Sequence, residues 1–342
     1  MTGSAAVILA AGHGKRMRSV LPKALHRLAG RTMLQYVVDA VRGAGVKRVV
    51  VVVGHGAQAV EQNLPPGAES VRQADQLGTA DAVLSARTLL QGDRSASDIV
   101  VAYGDCPLLT ENLFRQLIEK RRQASATIAL VVTSADDPHG YGRVVRDAGG
   151  RVRSIVEETI ATDAERRIRE INAGVYSFAA DWLWDAVPRV QASGTGEYRL
   201  TDLVAMATRM NRLVESIEAP LDITSGVNDR LQLARADRFL RDRIRERVML
   251  GGVTLIDPDA IYIDSDVTIG SDTVIYPGSV IEGTTVIGTG CRIGPASHIV
   301  DSRIGHNVVV AQSVLDRATV SDRATIGPFS HLRPGAEILA DA

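Results

Sequence analysis

Short apolar runs mark the first part of the chain. Three of them occupy residues 5–10 (AAVILA), 48–53 (RVVVVV) and 98–102 (DIVVA). Continuous apolar runs of this length are typical of strands that are buried on both faces of a parallel sheet. The pattern therefore predicts a sheet whose strands lie in the interior of a domain.

The segments between these runs have helical periodicity. Between the first two strands, apolar residues recur at helical spacing, at Met33, Val37, Val41 and Ala44. Gly45 follows and can end the helix, because glycine readily adopts the left-handed conformation of a helix C-terminus. Repeated strand–helix units predict a doubly wound α/β domain over residues 1–227, with its ligand beyond the carboxyl ends of the strands.

A charged helical segment follows this domain. Its apolar residues fall on one stripe, at Leu233, Leu240, Ile244 and Val248, and arginines and acids fill the other faces. The interspersed acids cancel much of the positive charge, which argues against a nucleic-acid contact. We therefore predict a solvated connecting helix over residues 228–250.

A period of six residues takes over after Gly251. Isoleucine occupies every sixth position from Ile263 to Ile299; the register then slips near Ile304 and resumes at Val308, Val314, Val320, Ile326, Leu332 and Ile338. Small residues, glycine and aspartate or serine fill the turns. Three such hexads make one triangular coil with an aliphatic residue pointing inward on each face. The pattern predicts an incomplete left-handed parallel β-helix over residues 251–342.

Composition narrows the possible functions. The formal net charge is −1, so no field of the whole protein attracts nucleic acid or an anionic membrane, and an anionic substrate needs a local cluster of cations. The two cysteines, Cys106 and Cys291, form no metal or redox motif, which suits a reducing cytosol. No apolar run is long enough for a signal peptide or a membrane span. We expect a cytoplasmic protein.

A loop that contains glycine carries the strongest chemical signal. The first strand runs into LAAGHGKRM (9–17), and LPK (21–23) follows. Gly12 and Gly14 let backbone N–H groups approach a ligand closely. Nearby cations can neutralise a polyphosphate: Lys15, Arg16, Arg18 and Lys23. The loop is neither a P-loop nor a dinucleotide-binding turn, since Met17 stands where the third glycine of that turn belongs.

This loop resembles the LAAGxGTRM…PK signature of the sugar-1-phosphate nucleotidyltransferases. The whole chain resembles the bacterial N-acetylglucosamine-1-phosphate uridyltransferases, bifunctional enzymes with a C-terminal acetyltransferase. The resemblance runs from residue 5 to the last residue and rests on segments in a fixed order: QADQLGTA (73–80), YGDCPLL (103–109), GYGR (140–143), IVEE (155–158), EINAGVY (170–176), GEYRLTD (196–202), GVNDRLQL (226–233) and LRPGAE (332–337). It implies a Rossmann-like nucleotidyltransferase domain followed by hexapeptide repeats.

On the nucleotide side, the resemblance implies roles for matching positions. The glycine loop would line the nucleotide at Leu9, Ala10, Ala11, Gly12 and Gly14. Gln73 would read the uracil edge, and Gly78 and Thr79 would close over the base and the ribose. Arg16 and Lys23 would be catalytic, because their charges can stabilise the transferring phosphate and the leaving pyrophosphate.

On the sugar side, Tyr103 and Gly104 would flank the substrate. The N-acetylglucosamine moiety would be held by Gly142, Glu157 and Asn172. Asp105 and Asn228 would bind Mg²⁺, with Asn228 also counted among the substrate contacts. One carboxylate and one amide oxygen match the hard ligands that Mg²⁺ prefers. Asp105 follows a predicted strand at the edge where ligands bind, although the position also suits a helix cap before Pro107.

The implied reaction joins UTP and N-acetylglucosamine 1-phosphate into UDP-N-acetylglucosamine and pyrophosphate, a step of cell-wall and peptidoglycan precursor synthesis. The attacking phosphate is already an anion, so we expect direct in-line transfer without a general base. Catalysis would then consist of positioning and electrostatic stabilisation, with Mg²⁺ as the cofactor.

Several positions depart from the family pattern. Lys15 stands where threonine is usual, Ala80-Asp81 where Gly-His is usual, and Arg199 where tyrosine is common. Asp81 adds a carboxylate close to the predicted base pocket, where it bears on nucleotide affinity or base preference.

Little of the family's acetyltransferase site can be matched. Only Arg333 corresponds to one of its sugar-phosphate contacts, so we expect a C-terminally truncated relative without acetyltransferase activity. Hexapeptide β-helices commonly trimerise, and the resemblance therefore implies a homotrimer through the β-helix, with less surface to bury here.

Two alternative functions remain open. The same fold could pair glucose 1-phosphate with UTP, dTTP or ATP, or mannose 1-phosphate with GTP; Asn172 and Asn228 favour the acetamido sugar and uridine. A non-catalytic subunit that binds nucleotide sugars would be expected to lose the metal carboxylate or the phosphate lysine, whereas Asp105 and Lys23 are both present.

Overall fold

The computed structural model describes residues 3–92, 96–194 and 196–342. The chain divides into two compact units, the first made of Met1–His26 and Thr32–Gln232 and the second of Arg27–Arg31 and Leu233–Ala342. The domain boundaries that we predict, at residues 227/228 and 250/251, stay a proposal. No helix of the described residues is long and apolar enough to cross a membrane.

The first unit is built around one mixed sheet. The strands up to residue 218 are β1 (Gly3–Ala10), β2 (Arg27–Leu28), β3 (Arg31–Thr32), β4 (Arg48–Val53), β5 (Glu69–Arg72), β6 (Ala96–Tyr103), β7 (Ile128–Ser134), β8 (Arg143–Arg146), β9 (Val152–Val156), β10 (Glu170–Ala179) and β11 (Val214–Glu218). The sheet has the order β11-β7-β10-β6-β1-β4-β5, and β8 pairs with β10 and β9. Strands β2 and β3 pair with each other outside this sheet; β2 and Arg31 of β3 belong to the second unit.

Helices cover the sheet in the manner predicted for a doubly wound domain. The described helices before residue 225 are α1 (Met33–Gly43), α2 (Ala57–Gln62), α3 (Thr79–Ser85), α4 (Arg87–Leu90), α5 (Glu111–Gln123), α6 (Asp163–Arg166), α7 (Ala180–Ala186), α8 (Asp202–Arg209) and α9 (Leu221–Thr224). Helix α1 begins where the Thr32 hydroxyl accepts a hydrogen bond from the Gln35 amide. It ends before Gly45, which has a φ of 90°, as its sequence predicts.

The three apolar runs form the central strands. They are β1, β4 and β6, and β1 pairs in parallel with both of the others. Alternate residues of β1 belong to different hydrophobic clusters, with Val7 in one and Ile8 in the other. Because successive side chains of a strand point to opposite faces, β1 is buried on both sides of the sheet. This confirms the prediction from its unbroken apolar pattern.

Strand β10 differs from the parallel arrangement that the apolar runs suggest. It lies between β6 and β7 and runs antiparallel to both. Apolar patterning reports burial and carries no signal for strand direction. The pairing of β10 with β7 is irregular between Asn172 and Tyr176. An irregularity of this kind redirects side chains locally, and it occurs in the EINAGVY segment.

The second unit is a charged helix followed by stacked short strands. Helix α10 spans Arg230–Leu250. The strands that follow are β12 (Thr254–Leu255), β13 (Tyr262–Ile263), β14 (Thr268–Ile269), β15 (Val274–Ile275), β16 (Val280–Glu282), β17 (Val286–Ile287), β18 (Arg292–Ile293), β19 (His298–Val300), β20 (Arg303–Ile304), β21 (Val309–Val310), β22 (Val314–Asp316), β23 (Thr319–Val320), β24 (Thr325–Ile326), β25 (His331–Leu332) and β26 (Glu337–Ile338). Within the described residues they form three parallel sheets of five strands each, which is the predicted β-helix.

The inward register after Ile299 differs from the prediction. Ile299 lies beside Leu315 of the next coil, and Val310 lies beside Ile326. Leu315 is fully buried, whereas Val314, which we predicted to point inward, is 39% exposed. Val308 is buried, as predicted, but it precedes the strand in which Val310 takes the paired inward position.

Shortened segments cause this shift. The inward positions follow each other at Ile299, Ile304, Val310, Leu315 and Val320, so three of these four intervals are five residues instead of six. A constant period of six cannot follow turns that are each one residue shorter. From Val320 onward the spacing of six returns, and the predicted and observed positions agree.

The register can be tested with two neighbouring substitutions. Leu315→Ala removes buried methyl groups from the β-helix core and should lower the free energy of unfolding by about 2–5 kcal/mol. Val314→Ala, the matched control on the exposed side, should change it by only about 0.5 kcal/mol. Urea unfolding of both variants measures the difference. A larger loss for Val314→Ala than for Leu315→Ala would contradict the observed register.

Candidate active site

A cavity opens at the carboxyl edge of the sheet, where β1 and β6 end. Its volume is about 350 Å³. Many of the predicted site residues line it: Leu9, Ala10, Ala11, Gly12, Gly14, Lys23, Gln73, Gly78, Thr79, Tyr103 and Asp105. His13, Ala24, Gln76 and Ala82 also line it and were not predicted. The parallel pairing of β1 with β6 brings these segments together, since it places Leu9 beside Tyr103.

The glycine loop turns tightly around Lys23. Gly14 has a φ of 58°, which favours glycine, and a Cβ atom added there would lie 2.8 Å from the Lys23 Cβ. A short 3-10 helix, Lys15–Met17, follows, and the buried Met17 side chain anchors it. Gly12 has open space around the position of a Cβ. The close approach of Lys23 thus explains why glycine occupies position 14, whereas Gly12 leaves open space beside the cavity that it lines.

Three cations of the loop are available to a ligand. Lys15, Arg16 and Arg18 are exposed, and none of them takes part in an ion pair within the described residues. Arg16 does not line the cavity itself. These side chains therefore add positive charge around its rim, where phosphate groups could be neutralised.

Lys23 is held differently from the other cations. Its Nζ donates a hydrogen bond to Asn228 Oδ1 at 3.0 Å and forms an ion pair with Asp105 Oδ2. The Lys23 and Asp105 side chains are only 17% and 19% exposed. The backbone fixes both partners, since the Val227 amide donates to the Asp105 carbonyl at 2.8 Å. One carboxylate and one amide oxygen therefore converge on the Lys23 ammonium group; the Mg²⁺ binding that we predicted for Asp105 and Asn228 stays a prediction.

The same donor set fits a divalent cation. Asp105 and Asn228 supply two hard oxygen atoms that already hold the ammonium group of Lys23 between them. The described residues contain no group of three or more histidine, cysteine, aspartate or glutamate side chains that could hold a metal. A Mg²⁺ ion at this place would thus rely on few protein ligands and on oxygens of the substrate, which is its common mode of binding.

Burial keeps two nearby groups protonated. It raises the pKa of Tyr103, and the Glu157 and Asp105 carboxylates raise it further. Burial likewise raises the pKa of Cys106, and the neighbouring Asp105 carboxylate adds to the effect. Neither the phenol nor the thiol therefore ionises near neutral pH, and Cys106 is not an activated nucleophile.

The predicted sugar-binding residues lie together beyond Tyr103. The Asn172 amide donates to the Gly142 carbonyl at 2.9 Å, and the Asn172 side chain donates to the Tyr176 hydroxyl at 2.6 Å. Glu157 Oε1 accepts a hydrogen bond of 2.9 Å from the hydroxyl of Thr201. Thr201 was not singled out from the sequence, although it lies in the GEYRLTD segment that carries part of the resemblance.

Backbone hydrogen bonds join the segment around Gly78 to the segment around Tyr198. The Tyr198 amide donates to Leu77 at 2.8 Å, and the Ala80 amide donates to Tyr198 at 2.9 Å. The Leu200 amide also donates to the Thr79 hydroxyl at 2.9 Å. A Cβ at Gly78 would collide with the Tyr198 backbone. Sequence reasoning missed this connection because hydrogen bonds between distant backbone segments have no residue signature.

Gln73 lines the cavity and is 5% exposed. Its Nε2 donates to the Gly78 carbonyl at 2.9 Å and to Asp81 Oδ2 at 2.7 Å. Asp81, one of the departures from the family pattern, therefore contacts the residue that was predicted to read the base.

Two further predicted residues have different surroundings. The Gly104 amide donates to the Leu9 carbonyl at 2.9 Å, which ties the end of β6 to the end of β1. Arg333 belongs to the second unit, where it is exposed between β25 and β26. The roles predicted for the individual site residues stay predictions.

Comparison with known families agrees with this architecture. Residues 6–181 match the MobA-like NTP transferase domain, and residues 266–301 match the bacterial transferase hexapeptide family, with six repeats. The first match covers about half of the chain and contains the glycine loop, Gln73 and Asp105. The two matches confirm the predicted order of a nucleotidyltransferase domain and a hexapeptide β-helix.

Similar proteins share both parts. The bifunctional protein GlmU of Heliobacterium modesticaldum is 44% identical over 340 residues, which are 98% of this chain and 73% of the relative. The GlmU of Geobacillus thermodenitrificans is 46% identical over 335 residues, with 97% and 72% covered. That of Enterococcus faecalis is 41% identical over 338 residues, with 98% and 73% covered.

His26, a buried residue beside Arg230, gives the first unit a testable dependence of stability on pH. Burial lowers its pKa, and the nearby Arg230 guanidinium lowers it further. At a pH between the lowered pKa of folded His26 and the ordinary histidine pKa, the imidazole is therefore protonated in the unfolded chain and neutral in the folded chain. The stability that His26 contributes is present above that pKa and is lost as the pH falls through the lower, folded value. We expect wild-type protein to lose stability relative to His26→Gln between about pH 7.5 and about pH 5.5.

Urea unfolding at both pH values measures this effect. The exposed His139 supplies the control, because His139→Gln should keep the wild-type dependence on pH. Equal pH dependence in wild type and His26→Gln would show that His26 is not held neutral by the fold.

Proposed function

Because the chain belongs to the bifunctional GlmU family, we propose that it is a uridylyltransferase that joins UTP and N-acetylglucosamine 1-phosphate into UDP-N-acetylglucosamine and pyrophosphate. The product would serve cell-wall precursor synthesis. The main support is one cavity that is lined by the glycine loop after β1, Lys23 and Asp105, with Lys23 bound to both Asp105 and Asn228. Such an arrangement combines anion binding with a place for a cation, and phosphoryl transfer needs both.

The two ends of the site would bind the two substrates. The base would lie towards Gln73, and the phosphates would lie along the glycine loop, whose N–H groups and cations suit oxygen atoms. The sugar would lie beyond Tyr103, near Glu157 and Asn172. Thr201 would act as a positioning residue there, because its hydroxyl donates to the Glu157 carboxylate and fixes that acceptor for a sugar hydroxyl.

A divalent cation would be held by Asp105 and Asn228. When bound, Mg²⁺ would supply positive charge against the oxygens of the reacting phosphates. Lys23 would share this task, because it lines the same cavity and its ammonium group contacts Asp105. Asp105 thus has a second function, because its carboxylate holds Lys23 at the cavity wall.

The chemical step would be an in-line displacement. An oxygen of the sugar phosphate forms a bond to the α-phosphorus of UTP while the bond from that phosphorus to the bridging oxygen breaks and pyrophosphate leaves. The nucleophile is already an anion, so no proton has to be removed. Lys23 and Arg16 would offset the charge that develops on the transferring and leaving groups. The protonated Tyr103 and Cys106 add no competing nucleophile.

Pyrophosphate release tests this proposal. We expect the chain to release pyrophosphate from UTP plus N-acetylglucosamine 1-phosphate in the presence of Mg²⁺ and to stop when the metal is chelated. Glucose 1-phosphate, mannose 1-phosphate and the other nucleoside triphosphates would be assayed in parallel. Release with another pair would move the substrate assignment to a different sugar-1-phosphate nucleotidyltransferase. No release from folded protein with any pair would favour a binding subunit and contradict the proposal.

Two substitutions test the charged centre. Lys23→Ala and Asp105→Ala should each lower kcat/KM for pyrophosphate release roughly a hundredfold, because each removes a charged contact to the transition state. Lys47→Ala is the matched control, since Lys47 is exposed and lies outside the cavity. Circular dichroism would show that the variants fold. Turnover near that of wild type in either site variant would refute its role.

The acetyltransferase half of the family remains a separate prediction. Among the described residues, only Arg333 matches a contact of that second site, and we propose that these 342 residues alone do not acetylate glucosamine 1-phosphate. Incubation with acetyl-CoA and release of free CoA measures this activity. Acetyl transfer above background would overturn the expectation.

We also propose a homotrimer, because hexapeptide β-helices offer flat faces that can pack side by side.

A further inference from the structure

The cavity wall contains a polar side chain, Gln73, whose amide is held by hydrogen bonds. Gln73 is 95% buried, and its backbone amide donates to the Val53 carbonyl at 2.8 Å, which holds the residue at the end of β4. A glutamine side chain ends in an NH₂ group with two donors and an oxygen that only accepts. What a base meets here therefore depends on which of the two faces the cavity.

Both donors of Gln73 are engaged away from a ligand. Nε2 donates to the Gly78 carbonyl at 2.9 Å and to Asp81 Oδ2 at 2.7 Å. Within the described residues, Gln73 Oε1 has no hydrogen-bond partner. This oxygen is not completely buried, and Gln73 lines the cavity, so we take Oε1 as the acceptor that the residue offers to a ligand.

The reversed amide is disfavoured by both neighbours. A backbone carbonyl accepts only, and so does an aspartate carboxylate at neutral pH. Turning the amide would place Oε1 against the Gly78 carbonyl and the Asp81 carboxylate. The Asp81 carboxylate would lose the donor it has in Gln73, whereas the Gly78 carbonyl would keep its hydrogen bond of 3.1 Å from the Ala82 amide. Asp81 contributes more than Gly78 to this preference for one amide orientation, because hydrogen bonds to an ionised acceptor are about twice as strong as neutral ones. Its backbone is fixed in the first turn of α3.

We propose that Asp81 is a positioning residue that sets base selectivity by holding the Gln73 amide with its oxygen towards the base. The site then offers an acceptor and selects bases that carry a ring N–H. Uracil has a donor at N3, whereas cytosine has an acceptor at the same place and would face Oε1 without a hydrogen. The two bases have nearly the same size, so a hydrogen-bond mismatch discriminates better than shape.

Selectivity therefore depends on a pair of side chains. Gln73 would contact the base, and Asp81 would act through Gln73 without touching the nucleotide. This inference rests on the proposed function for the reaction, but the preference for a ring N–H is a property of binding alone. It can be measured even if the chain does not turn over.

The first experiment compares kcat/KM for UTP and CTP in wild type and Asp81→Ala. We expect wild type to prefer UTP and Asp81→Ala to reduce the UTP:CTP ratio about tenfold, the size of effect that loss of one hydrogen bond to a charged group produces. The UTP:CTP ratio of Asp81→Asn should lie between those of wild type and Asp81→Ala. The asparagine oxygen can still accept a hydrogen bond from Gln73, while its NH₂ group permits the reversed pairing. A role in stability alone would leave the ratio unchanged.

Asp75 supplies the matched control. It lies between Gln73 and α3, is exposed, and makes no hydrogen bond to Gln73 within the described residues. Asp75→Ala removes the same charge and should keep the UTP:CTP ratio of wild type within about twofold, as expected for a surface substitution. An equal loss of selectivity in Asp75→Ala and Asp81→Ala would assign the effect to general charge and overturn the proposal.

Binding measurements separate this proposal from the proposed reaction. Calorimetry with UDP, CDP and 3-methyluridine 5′-diphosphate requires no turnover, and the methylated base lacks the N3 hydrogen. We expect wild type to bind UDP more tightly than both other probes. Asp81→Ala and Asp81→Asn should each reduce the difference in affinity between UDP and CDP. Absence of pyrophosphate release together with this pattern would refute only the uridylyltransferase assignment. Equal affinity of wild type for UDP and 3-methyluridine 5′-diphosphate, or an unchanged gap in both folded variants, would refute the role of Asp81.

Discussion

The parallel pairing of β1 with β6 is the constraint on which the candidate site depends. It sets Leu9 beside Tyr103, so the glycine loop and Asp105 leave the sheet at the same edge. The hydrogen bond from the Gly104 amide to Leu9 continues this pairing past the last strand residues. Backbone pairing in the buried centre of the sheet thus fixes the distance between an anion-binding loop and a carboxylate, and neither group has to be positioned by its own side-chain contacts.

Charge is distributed unevenly around this edge. Lys23 is paired and partly buried, whereas Lys15, Arg16 and Arg18 are exposed and take part in no ion pair within the described residues. Opposite charge restrains the first cation, and solvent leaves the others free to adjust. A ligand with several phosphates can therefore meet one paired positive charge in the cavity and exposed, unpaired positive charges beside it.

The sequence predicts the parts of this protein whose causes are local or periodic. Residues 5–10, 48–53 and 98–102 become central strands because burial on two faces requires unbroken apolar runs. The isoleucines from Ile263 to Ile299 reveal the β-helix for a similar reason. The Asp105–Asn228 pair follows from family resemblance and is brought together in the fold, although the two residues are far apart in sequence.

Other features of the structure could not be predicted from the sequence, because their causes are not local. The direction of β10 depends on which neighbours it meets, and the shift to Val310 and Leu315 depends on turns that are one residue shorter. Asp81 was recognised as an additional carboxylate near the base pocket, but its contact with Gln73 requires the two segments to be placed in space.

The hydrogen bonds between the segments around Gly78 and Tyr198 have a consequence for the working cycle of the cavity. Residues 77–80 border the predicted nucleotide side. Residues 198–201 end at Thr201, whose hydroxyl holds Glu157 on the predicted sugar side. Since three hydrogen bonds join these segments, one wall cannot swing outward alone without breaking them. The two segments would therefore have to move together.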